Sequence, residues 1–201
     1  MSARRVLQTG DIDLRATLKP LGVYSRDPTT RWTSSSFAKA VLTPEGPGTM
    51  LLRWDGLGVT TAEAWGSGAA WLLDRAPHWV GLHDDLEGFD PTIHPGIAEL
   101  ARRHPGIRLP SAGVIWQELL LVLLGQRVTT EEAVKSWARM VYAWGEPAPG
   151  PLELRLPPTP SAVAAVTYTD FHRFNVERRR ADAILLAARR ANRLEEAATM
   201  T

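Results

Sequence analysis

The stretch FHRFNVERRRADAILLAARRANR sets Arg173, Arg178, Arg179, Arg180, Arg189, Arg190 and Arg193 against only Glu177 and Asp182. A basic cluster at a helix start suits phosphate contact. A solvated helix face is an equal reading. A second feature is LLGQRVTTEEA, residues 123–133, where an oily run stops at Gly125, shows Gln126 and Arg127, and enters a new helix at once. Taken alone, such a tip is a solvated corner. His83 stands beside Asp84 and Asp85, types that bind metals. Adjacent residues rarely converge on one ion, so a surface linker is the better reading. His94, His104 and His172 are isolated, and neither a Ser-His-Asp set nor a phosphate loop is recognisable.

The elements that would position these groups fall into two halves. In the first, DIDLRATLKPL alternates apolar and polar residues from Asp11 to Lys19, the pattern of a half-buried strand. SFAKAVLTPEGPGTMLLRWDGLGVTTAEAW offers three more strands, with turns at Pro44–Gly48 and at Asp55-Gly56. A helix is expected from about Ala69. Residues 1–85 thus form an α+β unit with an antiparallel sheet, and the polar link HDDLEGFDPTIHPG follows.

The second half, 86–201, reads as all helix. GIAELARRHPG is a short helix closed by Pro105-Gly106. AGVIWQELLLVLLG is apolar almost all round and is expected to be buried. TTEEAVKSWARMVYAWG is amphipathic, with capping-box spacing at Thr129 and Glu132 and a stop at Gly145. Thr159-Pro160 opens a further helix. A last one is expected from about Glu177 to Glu196.

Composition narrows the function classes. The 201 residues are 44% hydrophobic and 22% charged, ordinary for a folded domain. The net charge of +1 gives no global pull towards nucleic acid, and no run approaches the ~20 apolar residues of a membrane span. Cysteine is absent, which excludes disulfides, thiol catalysis and cysteine-ligated metal centres within this chain. A cytoplasmic protein without a signal peptide is expected. The eight tryptophans suit a core, with one or two available as a stacking surface for bases.

The segment PGIRLPSAGVIWQELLLVLLGQRVTTEEAVKSWARMVYAWGE resembles the first helices of the helix–hairpin–helix DNA glycosylases, and most of all the DNA-3-methyladenine glycosylase II branch. Pro105, Gly106, Arg108, Gly125, Gln126, Val128, Thr129 and Ala133 carry the match. It continues through PPTPSAVA into the basic helix and extends more loosely over the first half. The resemblance implies a monofunctional enzyme that flips an alkylated purine out of double-stranded DNA and hydrolyses its N-glycosidic bond, with no cofactor and as a monomer when full length. It implies that the corner enters the minor groove. Gln126 would meet base edges, and Arg127 would stand at a wedge position that is apolar in relatives. Thr129, Arg178 and Arg180 fall at further positions assigned to DNA contact. The hairpin and the catalytic Asp of the family are expected beyond LEEAATMT, so the helical half is expected to be incomplete. This chain then reads as a fragment or truncated paralogue, inactive in excision, with no catalytic residue to assign. Asp170 and Asp182 stand at the wrong places for that Asp. WDGLGVTTA, residues 54–62, imitates the hairpin turn but reads as a β-turn. A non-catalytic DNA-binding module and a Trp-rich protein-interaction domain are the alternative readings. A helix at 177–196 short of partners is expected to leave an apolar face uncovered.

Overall fold

A computed structural model describes residues 3–22 and 26–199. Five strands form one antiparallel sheet: β1 (Ala3–Gln8), β2 (Thr30–Trp32), β3 (Ser36–Thr43), β4 (Gly46–Trp54) and β5 (Val59–Gly66), in the order β1-β5-β4-β3-β2. Both faces of its centre are covered, so β3 and β4 are each buried at five consecutive positions rather than at alternate ones. Phe37, Met50 and Leu52 point into one core with Leu72, Ala76 and Trp79 of helix α2 (Ala69–Trp79). Ala38, Ala40 and Leu51 point the other way, onto Leu154 and Leu156.

The Asp55-Gly56 reading holds. The Asp55 carboxylate accepts from the backbone N–H of Leu57 and Val59, while Gly56 and Gly58 take φ of +77° and +95°. The first turn is tighter than expected, because Gly46–Gly48 already belong to β4.

The expected strand at 11–19 is instead helix α1 (Leu14–Leu18), followed by a 3-10 turn. Its alternation also fits a helical face, since Leu14, Thr17 and Leu18 are the buried positions. Asp13 decides the matter locally by accepting from the Ala16 N–H as an N-cap. The first strand lies earlier, in the basic N-terminal residues, and is an edge strand with mostly exposed side chains.

After the link come α3 (Pro95–Arg103), α4 (Trp116–Gly125), α5 (Thr130–Trp144), α6 (Pro160–Ala164), α7 (Arg178–Arg189) and α8 (Ala191–Glu195). Residues 105–114 are fastened back onto the sheet half. Gly106 comes so close to the Asp11 and Asp13 backbone that any Cβ would collide there, and Asp13 donates its N–H to the Gly106 carbonyl. Arg108 closes this turn by donating to the Pro105 and Ile107 carbonyls. Three of the motif residues, Pro105, Gly106 and Arg108, thus build a joint in the fold.

The helices bury Trp116, Leu120, Leu124, Trp137, Met140, Phe171, Phe174, Ile184 and Leu185 together. Helix α4 is less buried than expected. Trp116, Leu120 and Leu124 are fully buried in that core, Leu119, Leu121 and Leu123 pack against it half-buried, and Val122 is 61% exposed. The expected helix at 177–196 breaks at Arg190 into α7 and α8, and Leu186 on α7 is exposed. Of the tryptophans, Trp79, Trp116 and Trp137 are buried and the other five half-buried, so packing accounts for all of them.

Candidate nucleic-acid interface

The corner between α4 and α5 is built from local chemistry on one side and distant clamps on the other. Helix α4 ends at Gly125; Gln126 is extended (φ −67°, ψ 124°), and Arg127 takes a left-handed φ of +60°. Gly125 stays helical, and the positive φ falls instead on Arg127, a residue for which it costs on the order of 1 kcal/mol. Both side chains are exposed, and neither has a hydrogen-bonding or charged side-chain partner among the described residues. Next, Thr129 caps α5 through a complete capping box. Its hydroxyl accepts from the Glu132 N–H, and the Glu132 carboxylate takes the Thr129 N–H at 3.0 Å and its hydroxyl at 2.9 Å. Those bonds hold the Glu132 carboxyl below its ordinary pKa.

Three contacts from elsewhere in the chain hold α4 in place. Glu195 of α8 accepts the N–H groups of Ile115 (2.9 Å) and Trp116 (2.6 Å) at the helix start. Arg180 of α7 donates to the Leu124 carbonyl (2.9 Å) at the helix end. An anion at the N-terminus and a cation at the C-terminus both favour the helix dipole. In the first turn, Glu118 pairs with Lys39, a side chain 2% exposed within the sheet, which also donates to the Leu21 carbonyl. The corner is therefore referenced to both the sheet and the last helices. A strained tip residue on so determined a frame is the pattern of a site kept for use.

The sequence-predicted site residues separate into three kinds. Gln126 and Arg127 stand free at the tip, bordering a shallow hollow of about 310 Å³ shared with Glu177, Arg179, Arg180 and Ala183. Thr129 lies beside them, exposed, with its hydroxyl committed to the cap. Arg178 is exposed, 3.6 Å from Asp182 and over the Tyr168 ring. Arg180 differs from the expectation of a DNA-facing side chain. It is 6% exposed and spans the Leu124 and Asn175 carbonyls, so it supports the corner from beneath. Sequence spacing holds the signal: Arg180, Ile184, Ala187, Ala188 and Ala191 follow one helical stripe, and all are buried.

Asp170 and Asp182 serve the framework. Asp170 closes a capping box on Thr167, which lowers its pKa, and Asp182 is a helix-face partner of Arg178. His78 and His83 stack with centroids 4.1 Å apart, and the Asp84 carboxylate accepts the Leu109 N–H. Among the described residues no three His, Asp or Glu side chains are grouped to hold a metal ion, and no helix is long and apolar enough to cross a membrane.

No family model and no curated protein sequence matches this chain. Solved structures do match. The chain is similar to the 3-methyladenine DNA glycosylase from Archaeoglobus fulgidus, with a TM-score of 0.78 and 16% identity over 99% of this chain and 70% of that one. It is similar to MBOgg1 in complex with a low-affinity DNA ligand, with a TM-score of 0.70 and 14% identity over 94% and 63% of the two chains. It is also similar to the apo form of the Clostridium acetobutylicum 8-oxoguanine glycosylase/lyase, with a TM-score of 0.68 and 12% identity over 100% and 70%. The chain thus has the α+β fold of these DNA glycosylases and spans 63–70% of their lengths.

Proposed function

We propose that this chain is the DNA-probing part of a base-excision glycosylase. The observation that carries the reading is the corner. Two unpartnered polar side chains project from a glycosylase fold, on a strained backbone held by Arg180, Glu195 and Lys39. In this reading the corner enters the minor groove of double-stranded DNA, Gln126 bonds exposed base edges and Arg127 fills the gap left by an extruded nucleotide. Arg178 contacts phosphate, and Thr129 contributes through the geometry of its cap.

The lesion we assign is an alkylated purine of the 3-methyladenine type, removed by hydrolysis alone. The motif match at residues 105–133 and the likeness to the Archaeoglobus enzyme support this choice. Within residues 106–199, Asp170 and Asp182 are engaged in structural contacts, so we assign the bond-breaking carboxylate to neither. The purified 201-residue chain is expected to bind DNA without releasing base.

The test is fluorescence anisotropy on matched duplexes with and without an abasic site. The chain should prefer the abasic duplex, and replacing Gln126 and Arg127 together with Ala should remove that preference while leaving thermal stability nearly unchanged. Equal preference in the double variant contradicts the reading, as does release of 3-methyladenine by the chain for its inactive status.

A further inference from the structure

We propose that a basic trough beside the corner, walled by Lys135, Arg139, His172 and Arg173, seats the phosphodiester backbone of the DNA strand that the corner probes. This inference rests on the DNA-binding reading above and, beyond the Arg173 of the basic cluster, assigns residues that are not among the matched motif positions.

The trough, about 410 Å³ in volume, lies between α5 and the 3-10 turn Tyr168–Phe174. Lys135 and Arg139 are one helical turn apart and share a face. Lys135 is matched by Glu131 in an exposed pair that phosphate can displace. Arg139 is exposed and has no ion pair or side-chain hydrogen bond among the described residues. Arg173 lies 4.7 Å from the Phe174 ring centroid and 5.5 Å from that of Trp144. Stacking orders its guanidinium in advance without neutralising it, and phosphate rewards such a planar, pre-placed fork. Asp170, the carboxylate electrostatically coupled to Arg173, is turned onto Thr167.

The floor of the trough is rigid and continuous with the corner. Ser136, 2% exposed, donates its hydroxyl to the Phe174 carbonyl at 2.7 Å, tying α5 to the turn. Asn175 borders the trough, and Arg180 bridges its carbonyl to that of Leu124 at the end of α4. Trough and tip are thus fixed to each other through one buried guanidinium.

Charge distribution supports the same placement. The trough and the hollow at the tip together hold six cationic side chains against Glu132 and Glu177. That is an excess of four in a chain whose net charge is +1, so the remaining residues are net negative. Such an arrangement concentrates attraction for a polyanion on one face. A duplex strand, with a negative charge about every 3.4 Å, is the partner it fits.

The experiment is a salt titration of binding to undamaged and abasic duplexes, with wild type, R139A/R173A and R139E. Losing a phosphate contact weakens binding to all sequences alike, and each contact contributes roughly one to the slope of log K against log salt. R139A/R173A should lower the slope by about two and weaken both duplexes by the same factor, leaving the abasic preference intact. R139E, on a side chain without partners, guards against folding effects at Arg173 and should lower the slope by at least about one. R102A/R103A, which removes cations already paired with Glu99 on α3, should leave the slope unchanged. Binding that persists in both trough variants with the wild-type slope overturns this proposal and leaves the corner reading standing. Failure of the wild-type chain to bind either duplex overturns both.

Discussion

The left-handed backbone at Arg127 allows the cost of the corner to be measured apart from its use. Glycine adopts a φ of +60° without steric penalty, whereas any residue with a Cβ pays on the order of 1 kcal/mol there. R127G and R127A both remove the exposed guanidinium, but only R127G removes the strain. Glycine loses some of that gain through its freer unfolded chain, a cost of roughly 0.5–1 kcal/mol that opposes the relief. The two effects offset in part, so R127G is expected to match R127A or exceed it by up to roughly 0.5 kcal/mol. For a chain of this size each kcal/mol moves Tm by about 2–4 °C, so R127G should lie up to ~2 °C above R127A in calorimetry. On an abasic duplex the two should be equally impaired, by on the order of tenfold, if one charged contact of ~1.5 kcal/mol is lost. An R127G variant less stable than R127A by the full ~0.5–1 kcal/mol of the glycine cost would refute the strain assignment. Wild-type affinity in R127G would refute the claim that the strained residue is kept for contact with DNA.

Other outcomes follow from the frame. R180M leaves the buried Leu124 carbonyl and the part-buried Asn175 carbonyl without their donors; with about 1–3 kcal/mol for the buried group and less for the other, chemical denaturation should show a loss of ~1–4 kcal/mol. R180K, which can reach only one of them, should fall between. Glu132 has its pKa lowered by the Thr129 N–H first and the Thr129 hydroxyl second, so its contribution is present above the ordinary glutamate value of 4.5 and fades as pH falls through the lower folded value. E132Q should therefore lower Tm near neutral pH and bring the two curves together in acid; parallel curves at all pH values would count against the cap. E195A removes the acceptor for two N–H groups at the start of α4 and should destabilise by ~1–2 kcal/mol, read by the same denaturation.

Features encoded within a few residues were legible in the sequence. The Thr129–Glu132 box, the Thr159-Pro160 helix start and the Asp55-Gly56 turn each need only their own side chains and backbone, and each forms as read. Where two periods fit one segment, sequence misled: Leu14, Thr17 and Leu18 serve a helix as well as alternation serves a strand, and Asp13 tipped the balance. Strands β1 and β2 went unread because one is exposed along its length and the other has three residues. The apolar α4 was read as buried almost all round, yet Val122 is left in solvent.

At the corner, the exposed tip was visible from Gly125, Gln126 and Arg127, but its supports were not. Lys39 and Glu118 are 79 residues apart, and Glu195 reaches back 79 residues to Trp116. Long-range clamps of this kind leave no local pattern. Arg180 was misread for a different reason: within a run of three arginines residue type does not say which one turns inward, and only its helical spacing to Ile184, Ala187 and Ala188 does. The trough was missed because Lys135 and Arg139 come from one segment and Arg173 from another, joined through Ser136 on the Phe174 carbonyl and Trp144 against Phe171 and Phe174.

The account depends on the corner entering stacked DNA, and 2-aminopurine fluorescence tests that most directly. A duplex with this base next to an abasic site should brighten when the chain binds, because the inserted corner unstacks it. Under saturating Q126A/R127A the signal should stay at that of free DNA. Wild-type binding without brightening, or equal brightening by the double variant, would contradict the account.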